Sequence, residues 1–390
     1  MKRPPLPVFY ISTAASLSTL GDAVLYAILP SYYPHLGLAP FQVGIILSVN
    51  RWIRLGTNHM AEHCYRCYPN VPWLIFAFLM GSVVTAVYGI AGTFIIFLGA
   101  RIFWGVSVSF TRQTSIMTAV ESGSEVYLGE RMGYYRGISA MWVALGLILG
   151  GLSHDAFGFT PTLIALSILS LFAIPLGVLS QQRLKQLKKP PAEDIAGKWD
   201  LGVMLCGFVI GTVGAGIVMS TLGLILKERI GESFGIAGYS IGVVALTSIM
   251  LGLYRLIRGI MSPIFGNIAD RIGRERPIPF LFLFGAIALS ISGICIDPIL
   301  LVVLMVVFFI CGITLDTLLF AQAAQSGPRS IASFVTAVDL GMSIGPLIGW
   351  SIPHFGFPIN YILVSGGAIY MIGAIVALKK FGILGELNKQ

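Results

Sequence analysis

The chain has 390 residues, of which 56% are hydrophobic and only 11% charged, with a formal net charge of +8. A soluble domain carries about 25% charged residues, so these charges are too few to cover a soluble core of this size. The hydrophobicity excludes a disordered chain, and five cysteines in 390 residues exclude a secreted disulfide scaffold, which leaves a polytopic helical membrane protein.

A helix needs about 20 apolar residues to cross the hydrocarbon of a bilayer. In chain order, twelve stretches qualify: 7–33, 41–62, 72–91, 94–120, 133–153, 160–180, 200–226, 239–264, 277–296, 299–322, 331–352 and 359–379. The first is too long for the apolar core of a cleaved signal peptide and is expected to stay as a span. With both termini on the cytoplasmic side, 17 of the 25 lysines and arginines fall in inner loops and tails, and only Lys227 and Arg229 fall in outer loops. That asymmetry is the positive-inside pattern. The other six, Arg51, Arg54, Arg101, Arg112, Arg255 and Arg258, lie within spans. The longest inner loop, 181–199, is basic and holds Pro190 and Pro191. It divides the chain into a six-helix bundle at 1–180 and another at 200–390, and its charge suits anionic lipid headgroups.

The two halves echo each other. Arg51-Trp52-Ile53-Arg54 in the second span matches Arg255-Leu256-Ile257-Arg258 in the eighth. Gly146-xxx-Gly150 in the fifth matches Gly345-Pro346-xx-Gly349 in the eleventh, and Phe157-Gly158-Phe159 matches Phe355-Gly356-Phe357. Six spans per repeat is an even number, so both copies enter the membrane from one side and are related by an axis along its normal.

With these features the chain resembles the major facilitator superfamily over essentially its whole length. Gly266-Asn-Ile-Ala-Asp270-Arg271-Ile-Gly273-Arg274 is similar to the family's signature inner loop, and Leu98-xx-Arg101-xxx-Gly105 to the Arg-Gly motif of its fourth span. Gly341-xxx-Gly345-Pro346-xx-Gly349 is similar to the Gly-Pro motif of its antiporters, here in span 11 instead of span 5. The first-half copy of the signature loop has lost its Asp and glycines, with Arg66 in place of the Asp, Glu62 and Pro69 in place of glycines, and Cys67 where the second copy has Arg271. The resemblance implies a fold of twelve transmembrane helices in two six-helix pseudo-repeats. It also implies gating by Asp270, Arg271, Arg274, Gly345 and Pro346, the Asp acting on a helix dipole. Spans 1, 4, 7 and 10 would line a central cavity, so Asp22, Arg101 and Asp316 would face it.

Charges inside a bilayer are costly and are functional candidates by default. Asp22 and Arg101 lie at similar depth, where they can form either a proton-exchanging pair or a permanent bridge between spans 1 and 4. Arg51 and Arg54 share one helix face. In the resembled fold Asp339 of span 11 is their expected partner and belongs with the gate. Six arginines against Asp22, Asp316 and Asp339 leave a formal excess of three positive charges within the spans. Arginine offers a planar fork to carboxylate or phosphate. We therefore expect Arg51, Arg54, Arg101, Arg255 and Arg258 to bind a small anionic solute, such as an organic acid, a carboxylate siderophore or a phosphorylated compound. Asp22 and Asp316 would carry the coupling protons. Structural anchoring by the arginine pairs is the competing reading.

Other signals are weaker. His59-xx-Glu62-His63 followed by Cys64-xx-Cys67 has metal-ligand residue types at a membrane edge, but no further ligand. His35, His154 and His354 fall in or beside outer loops, where interfacial packing and a pH-sensing outer gate are both open. There is no nucleotide-binding P-loop and no nucleophile–base constellation, so neither an ATP-driven pump nor an enzyme is expected. The sequence thus reads as a monomeric secondary transporter of a bacterial inner membrane, without cofactor or nucleic-acid partner, with proton antiport and efflux favoured. An importer of an anionic solute and a non-transporting receptor or scaffold remain as alternatives.

Overall fold

A computed structural model describes residues 4–123, 128–184, 200–236, 239–272, 275–295, 297–326 and 328–381, with side chains at all of these except 128, 129, 236, 239, 261–272 and 328. Twelve long helices run through the described residues. The first six are α1 (Leu6–Tyr32), α2 (Pro40–Cys67), α3 (Asn70–Ile90), α4 (Phe94–Glu121), α5 (Leu128–Phe157) and α6 (Phe159–Gln182). The second six are α7 (Leu201–Ile230), α8 (Val243–Ile272), α9 (Pro277–Ile294), α10 (Pro298–Gln325), α11 (Pro328–His354) and α12 (Asn360–Phe381). Eleven of them are apolar enough to cross a membrane. The exception is α2, a 28-residue helix whose middle holds Asn50, Arg51, Arg54, Asn58 and His59. The molecule is an all-α polytopic membrane protein.

One sequence expectation differs in its boundary. The eighth span, read as beginning at 239, begins as a helix only at Val243. Tyr239–Gly242 (β2) instead pairs with Ser233–Ile236 (β1) in a two-stranded hairpin. Tyr239 and Ile241 suit an extended chain, and apolarity alone does not separate a strand from a helix start. The duplicated Phe-Gly-Phe turns hold up in the backbone: Gly158 has φ +85° and Gly356 φ +75°, the left-handed region that glycine enters without penalty.

The chain divides into two compact units. One contains residues 1–38, 49–191 and 234–259, the other 39–48, 192–233 and 260–390. In the first, small residues let helices meet closely, as membrane packing favours. Gly146 and Gly150 of α5 abut Leu20 and Val24 of α1, and Gly21 of α1 abuts Thr85 of α3, with no space for a Cβ in any of the three. Ser82 of α3 and Ser167 of α6 each donate a hydroxyl to the other's carbonyl, at 2.7 and 2.8 Å. The first half of α8 lies antiparallel along α5, with Gly259 against Ala140, Gly252 against Ile148 and Ser248 against Gly151.

In the second unit, α7 widens into a π-helix over Gly211–Val218, and α11 lies against it. Gly341 meets the carbonyl of Phe208, and Gly345 meets Thr212 and Gly216, backbone on backbone. Trp350 is fully buried and donates its indole N–H to the Ser220 carbonyl at 3.1 Å. The first residues of α2 belong here too: Gly44 seats on Trp350 and Pro346, and the Ser48 hydroxyl donates to the Ser343 carbonyl.

Candidate functional site: a charged cluster in the first unit

The packing of α1 fixes where its polar residues point. Leu20 and Val24 are taken up by α5 and Gly21 by α3. Asp22 and Tyr26, four residues apart and so on one face, are left to meet α4 and α2. Asp22 accepts a bond from Arg101 of α4 through Oδ1 and Nη1. Arg101 is fully buried, whereas the Asp22 side chain keeps 22% of its surface open. The guanidinium also reaches the Tyr88 hydroxyl at 3.5 Å. Its carbon lies 5.5 Å from the Tyr26 ring centroid and 5.8 Å from that of Tyr88, which is itself stacked on Phe97. Two aromatic faces and a carboxylate thus hold the buried cation.

Arg51 of α2 joins the same group, with its guanidinium 5.7 Å from the Tyr26 ring. Arg255 of α8 is exposed, and it interacts electrostatically with Asp22, Arg51, Arg258 and Tyr254. A gradient of access results: Arg101 is sealed, Arg51 and Arg258 half-buried, Arg255 open, with Asp22 among them. Arg54 is half-buried one turn along α2 from Arg51. A guanidinium set of this kind can receive carboxylate or phosphate oxygens, and Asp22 is a carboxylate such an anion would compete with.

The other residues singled out from sequence fall elsewhere. Asp316 is on α10 and Asp339 on α11, both in the second unit. Gly345 and Pro346 form the α11 surface that meets α7 and the start of α2. Asp270 and Arg271 occupy the last turn of α8, but their side chains, and Arg274 altogether, lie outside the described residues. At the end of α2, Glu62 is held by Arg66 at 2.5 Å, and His63 Nδ1 is 3.9 Å from Cys67 Sγ. No group of three or more His, Cys, Asp or Glu able to hold a metal occurs among the described residues.

Sequence reasoning missed the two tyrosines. Tyr26 carried a signal, since it lies one turn beyond Asp22. Tyr88 carried none, because only the tertiary approach of α3 to α4 brings it to Arg101. It also counted Arg131 only as a cytoplasmic charge. That side chain is 4% exposed and donates to the Ala119 and Val120 carbonyls at 2.8 and 3.0 Å, so it caps the end of α4.

A sequence model of the Major Facilitator Superfamily matches residues 11–349. The chain belongs to this superfamily. It is therefore an integral membrane protein with the architecture of a secondary transporter, a class that handles small molecules. Solved structures resemble it over almost their whole length. A mutant of the peptide transporter POT in complex with alafosfalin superposes with a TM-score of 0.77 at 13% identity, covering 98% of this chain and 96% of that one. A POT family transporter in complex with 5-aminolevulinic acid gives 0.76 at 11%, covering 96% and 95%. A bacterial homolog of the human lysosomal transporter Spinster gives 0.65 at 13%, covering 98% and 96%. At these identities the likeness is one of fold. A local match, 34% identical over 77 residues, is to the class E tetracycline resistance protein of Escherichia coli, and it covers 20% of this chain and 17% of that protein.

Proposed function

We propose that this superfamily member is a proton-coupled transporter of a small anionic solute, working by antiport in the direction of efflux. The observation that carries the reading is the Arg101–Asp22 bridge, with Arg51 on the shared Tyr26 ring and Arg255 within electrostatic reach of Asp22, Arg51 and Arg258. A solute carboxylate or phosphate arriving at Arg255 and Arg51 competes with Asp22 for guanidinium donors. Released from Arg101, the Asp22 carboxylate takes up a proton, and loss of that proton restores the pair. Solute binding and protonation of Asp22 are thereby coupled through shared guanidinium donors, as a secondary transporter requires, while the antiport direction is carried by the Arg101 and Gly345-Pro346 motifs. Asp316 provides the second proton-carrying carboxylate, and Arg54 extends the solute site along α2.

In this reading the chain works as two bundles, 1–180 and 200–390, joined by the 181–199 linker. The gate consists of Asp270, Arg271, Arg274, Asp339, Gly345 and Pro346. The protein is a monomer in a bacterial inner membrane with both termini in the cytoplasm, and it is not an enzyme. The local match to a tetracycline resistance protein supports the efflux direction.

Ligand binding tests the solute site. Purified protein is heated with citrate, succinate or glucose 6-phosphate in excess. A solute present at about 100 times its dissociation constant stabilises the fold by about 2.7 kcal/mol. We expect at least one of the three to raise the unfolding temperature of the wild type and to lose that effect in Arg255→Ala. A shift of equal size in the variant contradicts the assignment.

A further inference from the structure

At the far end of α5 from the linker, a second polar cluster lies outside the arginine site. Asp155, in the last turn of α5, directs Oδ2 to the backbone N–H of Ala245 at 3.3 Å. Ala245 is in the first turn of α8, where amides have no acceptor within their own helix. Gly242, just before α8, has no space for a Cβ because the Asp155 carboxylate fills it. The other oxygen, Oδ1, lies 3.3 Å from His154 Nδ1. The His154 ring is 9% exposed, and its Nε2 is buried without a hydrogen-bond partner among the described residues.

The elements around the pair can be named. The end of α1 contributes Tyr32, edge-on to His154 at 5.2 Å. Tyr32 also stacks on His35 at 4.9 Å and on Phe159 of α6 at 5.1 Å. The hairpin contributes the Gly242 backbone, and α8 the Ala245 amide. The titratable groups facing the pair are therefore Tyr32 and, behind it, His35.

We infer that His154 and Asp155 form a proton-sensitive latch that ties the end of α5 to the start of α8. With the imidazole neutral, the ionised carboxylate faces the positive end of the α8 dipole and the two helices are held together. A proton on His154 places a full positive charge beside Oδ1 and offsets the negative field that Asp155 presents to α8. It also turns Nε2 from an acceptor into a donor, for which the closed packing offers no partner among the described residues but water does. Acidification on this side therefore loosens the α5–α8 seam. The equivalent end of α2 is tied differently: Gln42 of the same helix accepts the Ala39 amide at 2.9 Å, and Phe41 meets His354 at 5.5 Å, with no carboxylate in either contact. Among the described residues the latch is thus seen at the α5–α8 contact and not at its α11–α2 counterpart.

Hydrogen–deuterium exchange on the full chain in nanodiscs tests this, reading the segment 243–248 near neutral pH and about two pH units lower, with rates corrected for intrinsic exchange. In the wild type the segment should exchange about threefold faster in acid, the factor expected when one cap of this kind is lost. Asp155→Asn should exchange fast at both values, and His154→Gln slowly at both. Protection in α3 serves as the control for folding; if His154→Gln loses it, His154→Asn is read instead. A wild type without acid response, or an acid response that survives replacement of His154, overturns the inference.

Discussion

Asp22 and Arg101 differ sharply in what surrounds them, and that difference decides what each can do. Arg101 has no exposed surface and is boxed by Tyr26 and Tyr88, whereas Asp22 is partly open. Removing the carboxylate leaves a buried cation uncompensated, a change that costs about 3–5 kcal/mol. We expect Asp22→Asn to lower the unfolding free energy by that order in chemical denaturation, and Asp22→Leu combined with Arg101→Met to recover most of it. Arg255 has an open position, so its removal should change stability by no more than about 0.5 kcal/mol while abolishing solute stabilisation. Equal destabilisation by Asp22→Asn and Arg255→Ala would show that exposure does not separate the two roles. At this scale the sequence was a good guide to the charges and a poor one to their setting. A mid-span Asp and Arg stand out against an apolar background, but the aromatic faces around them are indistinguishable from the rest of the chain's 24 phenylalanines and 14 tyrosines.

Helix ends in this protein are tied by side chains that composition assigns to other tasks. Asp297 accepts the Ile299 amide at 2.9 Å at the start of α10, and Asp200 accepts the Val203 amide at 3.2 Å at the start of α7 while pairing with Lys380 of α12 at 3.0 Å. Arg131 closes α4 from α5 through one buried and one part-buried bond to carbonyls. Buried bonds from a charged donor are worth about 1.5–3 kcal/mol each. Arg131→Ala should therefore cost about 3 kcal/mol or more in denaturation. A cost below that of an ordinary surface substitution would mean that these carbonyls find water as readily as they find Arg131. The helices themselves were legible, because a run of about 20 apolar residues is required by the bilayer and leaves its length in the sequence. Two elements were not. The β1–β2 hairpin begins in apolar residues that read equally as a helix start. The π-helix in α7 lies where the glycines of α11 press against it, a contact between segments more than 100 residues apart.

For the molecule as a whole, superfamily membership and the duplicated turns at Gly158 and Gly356 agree that two similar bundles make the fold. The compact units cut across that duplication. All six mid-span arginines are in the first unit, while Asp316 and Asp339 are in the second. The net charge of +8 thus has two parts: an excess in loops and tails and an internal excess concentrated in one unit. We place the coupling proton on Asp22 and the transported anion on the internal excess of arginines. The most direct test is proton flux in proteoliposomes loaded with a pH-sensitive dye and given an imposed gradient of citrate, succinate or glucose 6-phosphate. The account predicts a solute-dependent pH change with the wild type that disappears in Asp22→Asn. No solute-dependent pH change with any of the three, or one of the same size in Asp22→Asn, would contradict it.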